Sequence, residues 1–178
     1  TKEPNVGVIT VPDPRLDKLE ELVNPQKKIP TTVDIVDIAG LIKGASKGEG
    51  LGNQFLGNIR ETDAIIHVVR CFEDENVVHV DGSVDPVRDK MIIDTELIFK
   101  DIETVEKRID KFRRIAKSGD KEAVRTMEVG QALLEHLEAE KPARSFETSE
   151  EGQEVVDSLM LLTAKPILYV CNVDEDSF

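Results

Sequence analysis

The sequence predicts an α/β fold, a mostly parallel sheet interrupted by an antiparallel α-helical coiled-coil hairpin. Three observations carry that expectation. Short β-branched runs alternate with stretches of helical periodicity, the pattern of strands joined by crossover helices. An apolar seam in steps of four and three runs through Met91, Thr95, Ile98, Ile102, Val105, Ile109, Phe112 and Ala116, a heptad pattern. Finally, one strand-like run delivers Asp37-Ile38-Ala39-Gly40 and then a glycine-rich stretch through residue 52.

Composition bounds the answer. With 178 residues and 39% hydrophobic content, the chain can bury the core of one domain, or one domain plus an excursion. No apolar run is long enough to span a bilayer and no signal peptide is visible, so no membrane partner is expected. There are 36 Asp and Glu against 23 Lys and Arg, a net charge of −13. That balance argues against the chain as a whole wrapping nucleic acid, and direct DNA binding is not expected; a local basic face stays open. Cys71 and Cys171 follow strand-like runs without metal-ligand spacing, which suits two reduced thiols in a cytoplasmic protein.

Taken in order, residues 6–11 read as a strand. Asp13 then caps a helix with Pro14 at its first position, where proline costs nothing. Leu16, Leu19, Leu22 and Val23 give that helix one apolar face, and Pro25 ends it. Residues 33–36 form the second strand. Helical spacing returns from about 53 to 61, with Phe55, Leu56 and Ile59 inward. Residues 64–70 are a third strand, apolar enough to be covered on both faces; His67 within it reads as a packed core histidine. Residues 71–90 are an acidic, irregular loop that contains His79. The long seam follows. Ser118-Gly119-Asp120 stops one helix and caps the next, whose own seam is Ala123, Met127, Gly130, Leu134 and Leu137. Two long helices joined by so short a turn are antiparallel neighbours. Intramolecular packing of that hairpin explains the seam, and an interaction surface is the alternative. Thr148 and Glu151 have capping-box spacing and open a further helix, with Val155, Val156, Leu159 and Leu162 inside. Residues 167–171 are the last strand, and Asn172-Val173-Asp174-Glu175 follows at once. The domains expected are therefore 1–84 with 146–178, and an inserted hairpin over 85–145.

The chemistry concentrates after strands. In doubly wound sheets ligands bind beyond the carboxyl ends of the strands, where Asp37–Gly40, the His79 loop and residues 172–175 all fall. Asp-x-x-Gly after a strand is how nucleotide switch proteins bring a carboxylate to Mg²⁺ and a backbone N–H to a γ-phosphate. Glycine suits the second role because no Cβ obstructs the approach.

At residues 1–8, 37–41, 44–53, 59–64, 69–72 and 162–166 the chain resembles the YchF / Obg-like ATPase family of P-loop nucleotidases. The resemblance covers nearly the whole sequence. It implies a P-loop nucleotidase-like domain carrying a coiled-coil insertion, with ATP or GTP as substrate, Mg²⁺ as cofactor and the ribosome as a partner. By the same resemblance, Thr1 and Asp37 are the Mg²⁺ groups and Gly40 the γ-phosphate amide. Leu41 stands where many GTPases carry the glutamine that orients the attacking water, and leucine has no hydrogen-bonding group. Slow hydrolysis is expected, with His79 as the family's substitute.

Asn172, Val173 and Glu175 occupy the base-reading positions, where guanine-specific members have Asn-Lys-x-Asp. The Asp of that motif accepts from guanine N1–H and its exocyclic amine. Glu175 is one methylene longer and Val173 replaces the lysine stem, so ATP is expected in preference to GTP. The alternatives are a nucleotide-gated scaffold with negligible turnover and a guanine-specific Obg-type GTPase. The chain contains no Gly-x-x-x-x-Gly-Lys-[Ser/Thr]. In the resemblance that loop precedes Thr1 and a small C-terminal TGS domain follows. The 178-residue chain alone is therefore expected to bind nucleotide poorly, to be inactive and to be marginally stable.

Overall fold

The computed structural model describes residues 5–38, 51–74, 76, 79 and 82–175, with 51–54 as backbone. The chain divides into two compact units, Thr1–Gly40 and Leu41–Phe178.

In the first unit, β1 (Asn5–Thr10) and β2 (Thr32–Asp37) flank α1 (Pro14–Val23). The expected cap is present: the Asp13 carboxylate accepts from Arg15 N, and Pro14 opens the helix. Asn24 ends it in the left-handed region at φ 46°, a conformation asparagine tolerates. β1 and β2 pair antiparallel, Asn5 opposite Asp37 through Thr10 opposite Thr32. This pair is antiparallel, which a mostly parallel α/β fold admits. The apolar face expected of α1 exists but is not covered among the described residues: Leu19, Leu22 and Val23 are exposed, as are Val6, Val8 and Val33 on the strands.

The second unit contains α2 (Leu51–Arg60), β3 (Ile65–Arg70), α3 (Pro86–Ala116), α4 (Lys121–Glu138), α5 (Glu150–Asp157) and β4 (Ile167–Asn172). β3 and β4 are parallel, in register from Ile65 opposite Ile167 to Arg70 opposite Asn172. Among the described residues Val69 is the buried position of this pair. Ile66, Val68, Leu168 and Val170 line an open apolar face, so the expectation that β3 is covered on both sides does not hold for the described residues.

The core lies among the helices. Ile98, Val105 and Ile109 of α3 pack with Leu133 and Leu137 of α4, and Val156, Leu159 and Leu161 close the group. The hairpin is thus antiparallel as expected, but α5 and the residues after it join its core. Gly130 faces Ile109 closely: a Cβ there would stand 3.0 Å from Ile109 Cγ1. The turn between the helices uses Gly119 at φ 82° and the Asp120 carboxylate, which accepts from Ala123 N at 2.8 Å.

Two local expectations are corrected. α3 begins at Pro86 with Asp85 as its cap, which shortens the irregular stretch expected to reach residue 90. The cap of α5 is Ser149, whose Oγ accepts from Gly152 N at 3.1 Å; Thr148 and Glu151 do not form the capping box. The Thr148 side chain fills the space where a Cβ on Gly152 would lie, only 2.1 Å from Thr148 Oγ1, while Glu151 pairs with Arg125 of α4 at 3.1 Å.

One buried polar cluster fastens α3 to the segment before β4. Asp101 is 0% exposed. Its Oδ1 accepts from Leu162 N at 2.8 Å, and its Oδ2 from Thr163 N and Thr163 Oγ1, both at 2.7 Å. Thr163 Oγ1 in turn accepts from Ala143 N at 2.9 Å. Burial pushes the Asp101 carboxyl upward, against the opposing pull of those hydrogen bonds and of the Arg60 charge. Lys165 Nζ donates to the carbonyls of Arg60 and Thr62 at the end of α2, and the Arg60 guanidinium donates to Thr104 Oγ1 of α3 at 3.2 Å.

Candidate functional site

The parallel pairing of β3 and β4 brings two of the expected site stretches to one sheet end. Arg70, the last residue of β3, lies opposite Asn172, the last residue of β4. One step further, Cys71 N donates to Asn172 O at 2.7 Å. The stretch Asn172, Val173 and Glu175, expected to read the base, therefore starts beside the root of the His79 loop. Asn172 and Glu175 are exposed and Val173 is half-buried. Both cysteines are free thiols; burial and the neighbouring Cys171 push the Cys71 thiol up.

The loop is pinned at both ends. At its start Arg70 folds back, with Nε donating to Phe72 O at 2.9 Å and the guanidinium 4.6 Å from the centre of the Phe72 ring. At its far end the Asp85 carboxylate caps α3 by accepting from Arg88 N at 3.0 Å. Arg88 then reaches back, its guanidinium donating to Ser83 O at 2.6 Å and to Ser83 Oγ at 3.0 Å. Its Nε and terminal nitrogen also bracket Asp89 Oδ1 at 3.1 and 3.0 Å. The other oxygen of Asp89 meets His79 Nε2 at 2.8 Å. His79 is thus no freely solvated loop side chain: it is 16% exposed and held against the first turn of α3, with Asp89 22% exposed. Burial acts to raise the Asp89 carboxyl, but Arg88 and His79 together hold it below the usual carboxylate range. Asp89 and Arg88 were missed in the sequence, although Asp85-Pro86 is the same start signal as Asp13-Pro14.

His67 behaves as expected of a packed histidine. Its ring lies 5.5 Å from that of Tyr169 on β4, and burial lowers its pKa.

Asp37 closes the first unit's ladder, opposite Asn5, and is exposed. Thr1, Gly40, Leu41 and the glycine-rich stretch from 44 to 50 lie outside the described residues. Among the described residues no group of three or more His, Cys, Asp or Glu side chains could enclose a metal. A single exposed carboxylate fits Mg²⁺ nonetheless, because Mg²⁺ keeps several waters and takes one or two carboxylates plus phosphate oxygens.

Strands alternating with helices, and a parallel pair whose ends carry two of the expected site stretches, are features of an α/β nucleotidase domain. A family model described as "50S ribosome-binding GTPase" matches residues 1–118, and the chain belongs to that family. It is 58% identical over 176 residues to the ribosome-binding ATPase YchF of Bacillus subtilis (strain 168), covering 99% of this chain and 48% of that protein. To the ribosome-binding ATPase YchF of Escherichia coli O157:H7 it is 52% identical over 178 residues, covering all of this chain and 49% of the relative. Among solved structures it matches the Schizosaccharomyces pombe YchF GTPase with a TM-score of 0.79 and 41% identity, over 100% of this chain and 49% of that one. The YchF-type resemblance read from the sequence is upheld. The chain spans about half the length of the curated relatives it matches.

Proposed function

We propose that the protein carrying this chain is a Mg²⁺-dependent nucleotide switch that hydrolyses ATP slowly at the β–γ bond, prefers ATP to GTP, and docks on the ribosome in the cytoplasm. The observation that supports this most is the strand-end pairing of Arg70 with Asn172, which sets the base-reading stretch beside the root of the loop bearing His79. In this reading Asn172, Val173 and Glu175 face the base, and His79 orients the attacking water. Gly40 offers its amide to the γ-phosphate, and Asp37 with Thr1 would hold Mg²⁺, which neutralises phosphate charge when bound. Residues 1–84 with 146–178 serve as the nucleotide-binding part and 85–145 as the inserted hairpin. The relatives' names divide between ATPase and GTPase, so base choice rests on the residues. Val173 has no ammonium to lay along the base, and Glu175, one methylene longer than the aspartate of guanine-specific members, need not meet the edge where guanine carries its 2-amino donor.

The test is γ-phosphate release from MgATP by the intact protein and by its His79→Ala variant. Loss of turnover by roughly 10²-fold is expected; an unchanged rate would remove His79 from the mechanism.

A docking scaffold with little turnover is the second reading, and charge placement supports its ribosomal half. Between Lys107 and Arg125, around the turn joining α3 and α4, there are eight Lys or Arg against three Asp or Glu, in a chain of net charge −13. Arg113, Arg114, Lys117 and Lys121 in that stretch are exposed, as a phosphate-contacting surface requires. Cosedimentation with ribosomes should fall when Arg114 and Lys117 are both changed to Glu, and should fall with rising salt. Retention unchanged at every salt concentration would exclude this surface.

A further inference from the structure

Cys71 and Cys171, the two cysteines of the chain, take no part in the roles proposed so far, yet the sheet brings them together. Cys171 lies on β4 opposite Val69, and Cys71 directly follows the last residue of β3, its backbone N donating to Asn172 O at 2.7 Å. Side chains alternate between the faces of a strand, so Val69, Cys71 and Cys171 share one face of the pair. Along that face Cys71 turns back: its Sγ lies 3.7 Å from Val69 O, on the rung that Cys171 occupies. The thiols also sense each other, since burial and then the neighbouring Cys171 hold the Cys71 thiol up. Both are free, with Cys171 exposed and Cys71 half-buried. At ordinary strand spacing and rise, residues so staggered have Cα atoms roughly 8 Å apart, against at most about 6.8 Å across a disulfide. Joining them therefore draws residue 71 toward β4 by about 1–2 Å. Residue 71 is placed for that movement, beyond the end of β3 at the start of an irregular stretch.

We infer that Cys71 and Cys171 are a site of reversible oxidation, at which hydrogen peroxide converts the two thiols into a disulfide that ties the root of the His79 loop to β4. The exposed Cys171 reacts first, because a thiol held protonated, as Cys71 is, makes the poorer nucleophile. The Cys171 thiolate attacks one peroxide oxygen: an S–O bond forms, the O–O bond breaks, and the hydroxide released takes up the thiol proton as water. The Cys71 sulfur then attacks the sulfenic sulfur of Cys171. The S–S bond forms, the S–O bond breaks, and the hydroxide leaves as a second water with the Cys71 proton. The two thiols together lose two electrons and the peroxide gains them. A small dithiol reverses the bond by exchange. The crosslink also encloses the chain from 71 to 171, and with it the whole hairpin of α3 and α4.

The experiment treats the intact protein with hydrogen peroxide and maps its cysteines by peptide mass, beside the variants Cys71→Ser and Cys171→Ser. The expected product is a linked pair of peptides carrying residues 71 and 171, lighter by two hydrogens than the reduced pair and separated by dithiothreitol. Cleavage within the hairpin should leave the two halves joined on a non-reducing gel. Cys71→Ser should instead accumulate a sulfenic acid at Cys171, trapped by dimedone, and neither variant should give the internal link. MgATP turnover should fall roughly tenfold on oxidation, because a shift of about 1 Å at a reacting site is costly, and should return with dithiothreitol. Oxidised Cys171→Ser should keep its rate within about twofold. The turnover readout alone rests on the proposed nucleotide site. If the reduced protein does not hydrolyse ATP, that reading falls and the peptide map still decides the inference. Absence of the 71–171 link, or links only to other cysteines or between molecules, overturns the inference. So does an unmodified Cys171 in Cys71→Ser, or an internal link that leaves an active protein's turnover unchanged.

Discussion

Replacing Asp101 by Ala should loosen the segment that leads into β4 far more than an ordinary helix-surface substitution would. The Asp101 carboxylate, 0% exposed, is the acceptor for two backbone amides, Leu162 N and Thr163 N, and for the Thr163 hydroxyl. The hydroxyl can rotate to another acceptor; the two amides cannot. A buried donor left without a partner costs about 1–3 kcal/mol, so the two amides together give about 2–6 kcal/mol. At about 1.4 kcal/mol per factor of ten, the lower figure already means an approximately 30-fold loss of protection. The assay is amide hydrogen exchange at Leu162 and Thr163 in the intact protein, because a local opening energy is defined there even where global unfolding is not two-state. Asp101→Asn keeps one acceptor oxygen but turns an amine toward a donor, so its loss should be intermediate. Thr163→Val removes the hydroxyl that accepts from Ala143 N and should cost about 1 kcal/mol. Exchange at both amides within threefold of wild type in Asp101→Ala would refute the reasoning, since it would mean that these donors find other partners at no cost.

Further outcomes follow from the same geometry. Gly152→Ala puts a Cβ 2.1 Å from Thr148 Oγ1 and should destabilise α5 by about 1–3 kcal/mol; Thr148→Ala in the same molecule should recover most of that loss in a thermal melt. Gly130→Leu forces atoms into the place where a Cβ alone already stands 3.0 Å from Ile109 Cγ1. It should lower the melting temperature despite the better helix propensity of leucine, which is worth only about 1 kcal/mol. Glu103 is held down to about 2 by Lys100 and Lys107, from an ordinary value of 4.5. Its folded value is depressed, so its contribution is present above pH 4.5 and is lost as pH falls toward about 2. Because the group is 38% exposed, the loss is roughly 0.5 kcal/mol or less and should vanish in Glu103→Gln and in high salt.

Much of the fold is legible in the sequence wherever the determinant is local. Asp13-Pro14 and Gly119-Asp120 place helix ends correctly because caps act over three or four residues. The seams of α3 and α4 are visible because one face of each helix meets the other. Asp101 was not legible: between Ile98 and Ile102 it reads as a solvent-side charge, and only residues about sixty positions later make it an interior acceptor. Leu97 and Leu133 are buried outside the seams for a related reason, since α3 and α4 also meet elements other than each other. The spacing of Thr148 to Glu151 satisfies the capping-box motif, but the cap is Ser149, and the Thr148 side chain lies against Gly152 instead.

The site divides along the same line. That Asn172–Glu175 follows a strand could be read from the apolar run alone; that it lies beside the end of β3 could not. That His79 is held by a carboxylate could not, because the contact joins a loop residue to a helix turn ten positions on. The open face of β3 and β4 was unexpected too: a continuous apolar run reports what a strand can bury, not what covers it.

The central claim is that residues 172–175, with Val173 and Glu175 in place of a lysine and an aspartate, leave the base site unfitted to guanine. The most direct test is the ratio of kcat/KM for ATP to that for GTP, measured in one competition mixture with the intact protein and Mg²⁺. A ratio of roughly ten or more in favour of ATP is expected, falling when Val173→Lys and Glu175→Asp are introduced together. A ratio below one in the unaltered protein would contradict the account.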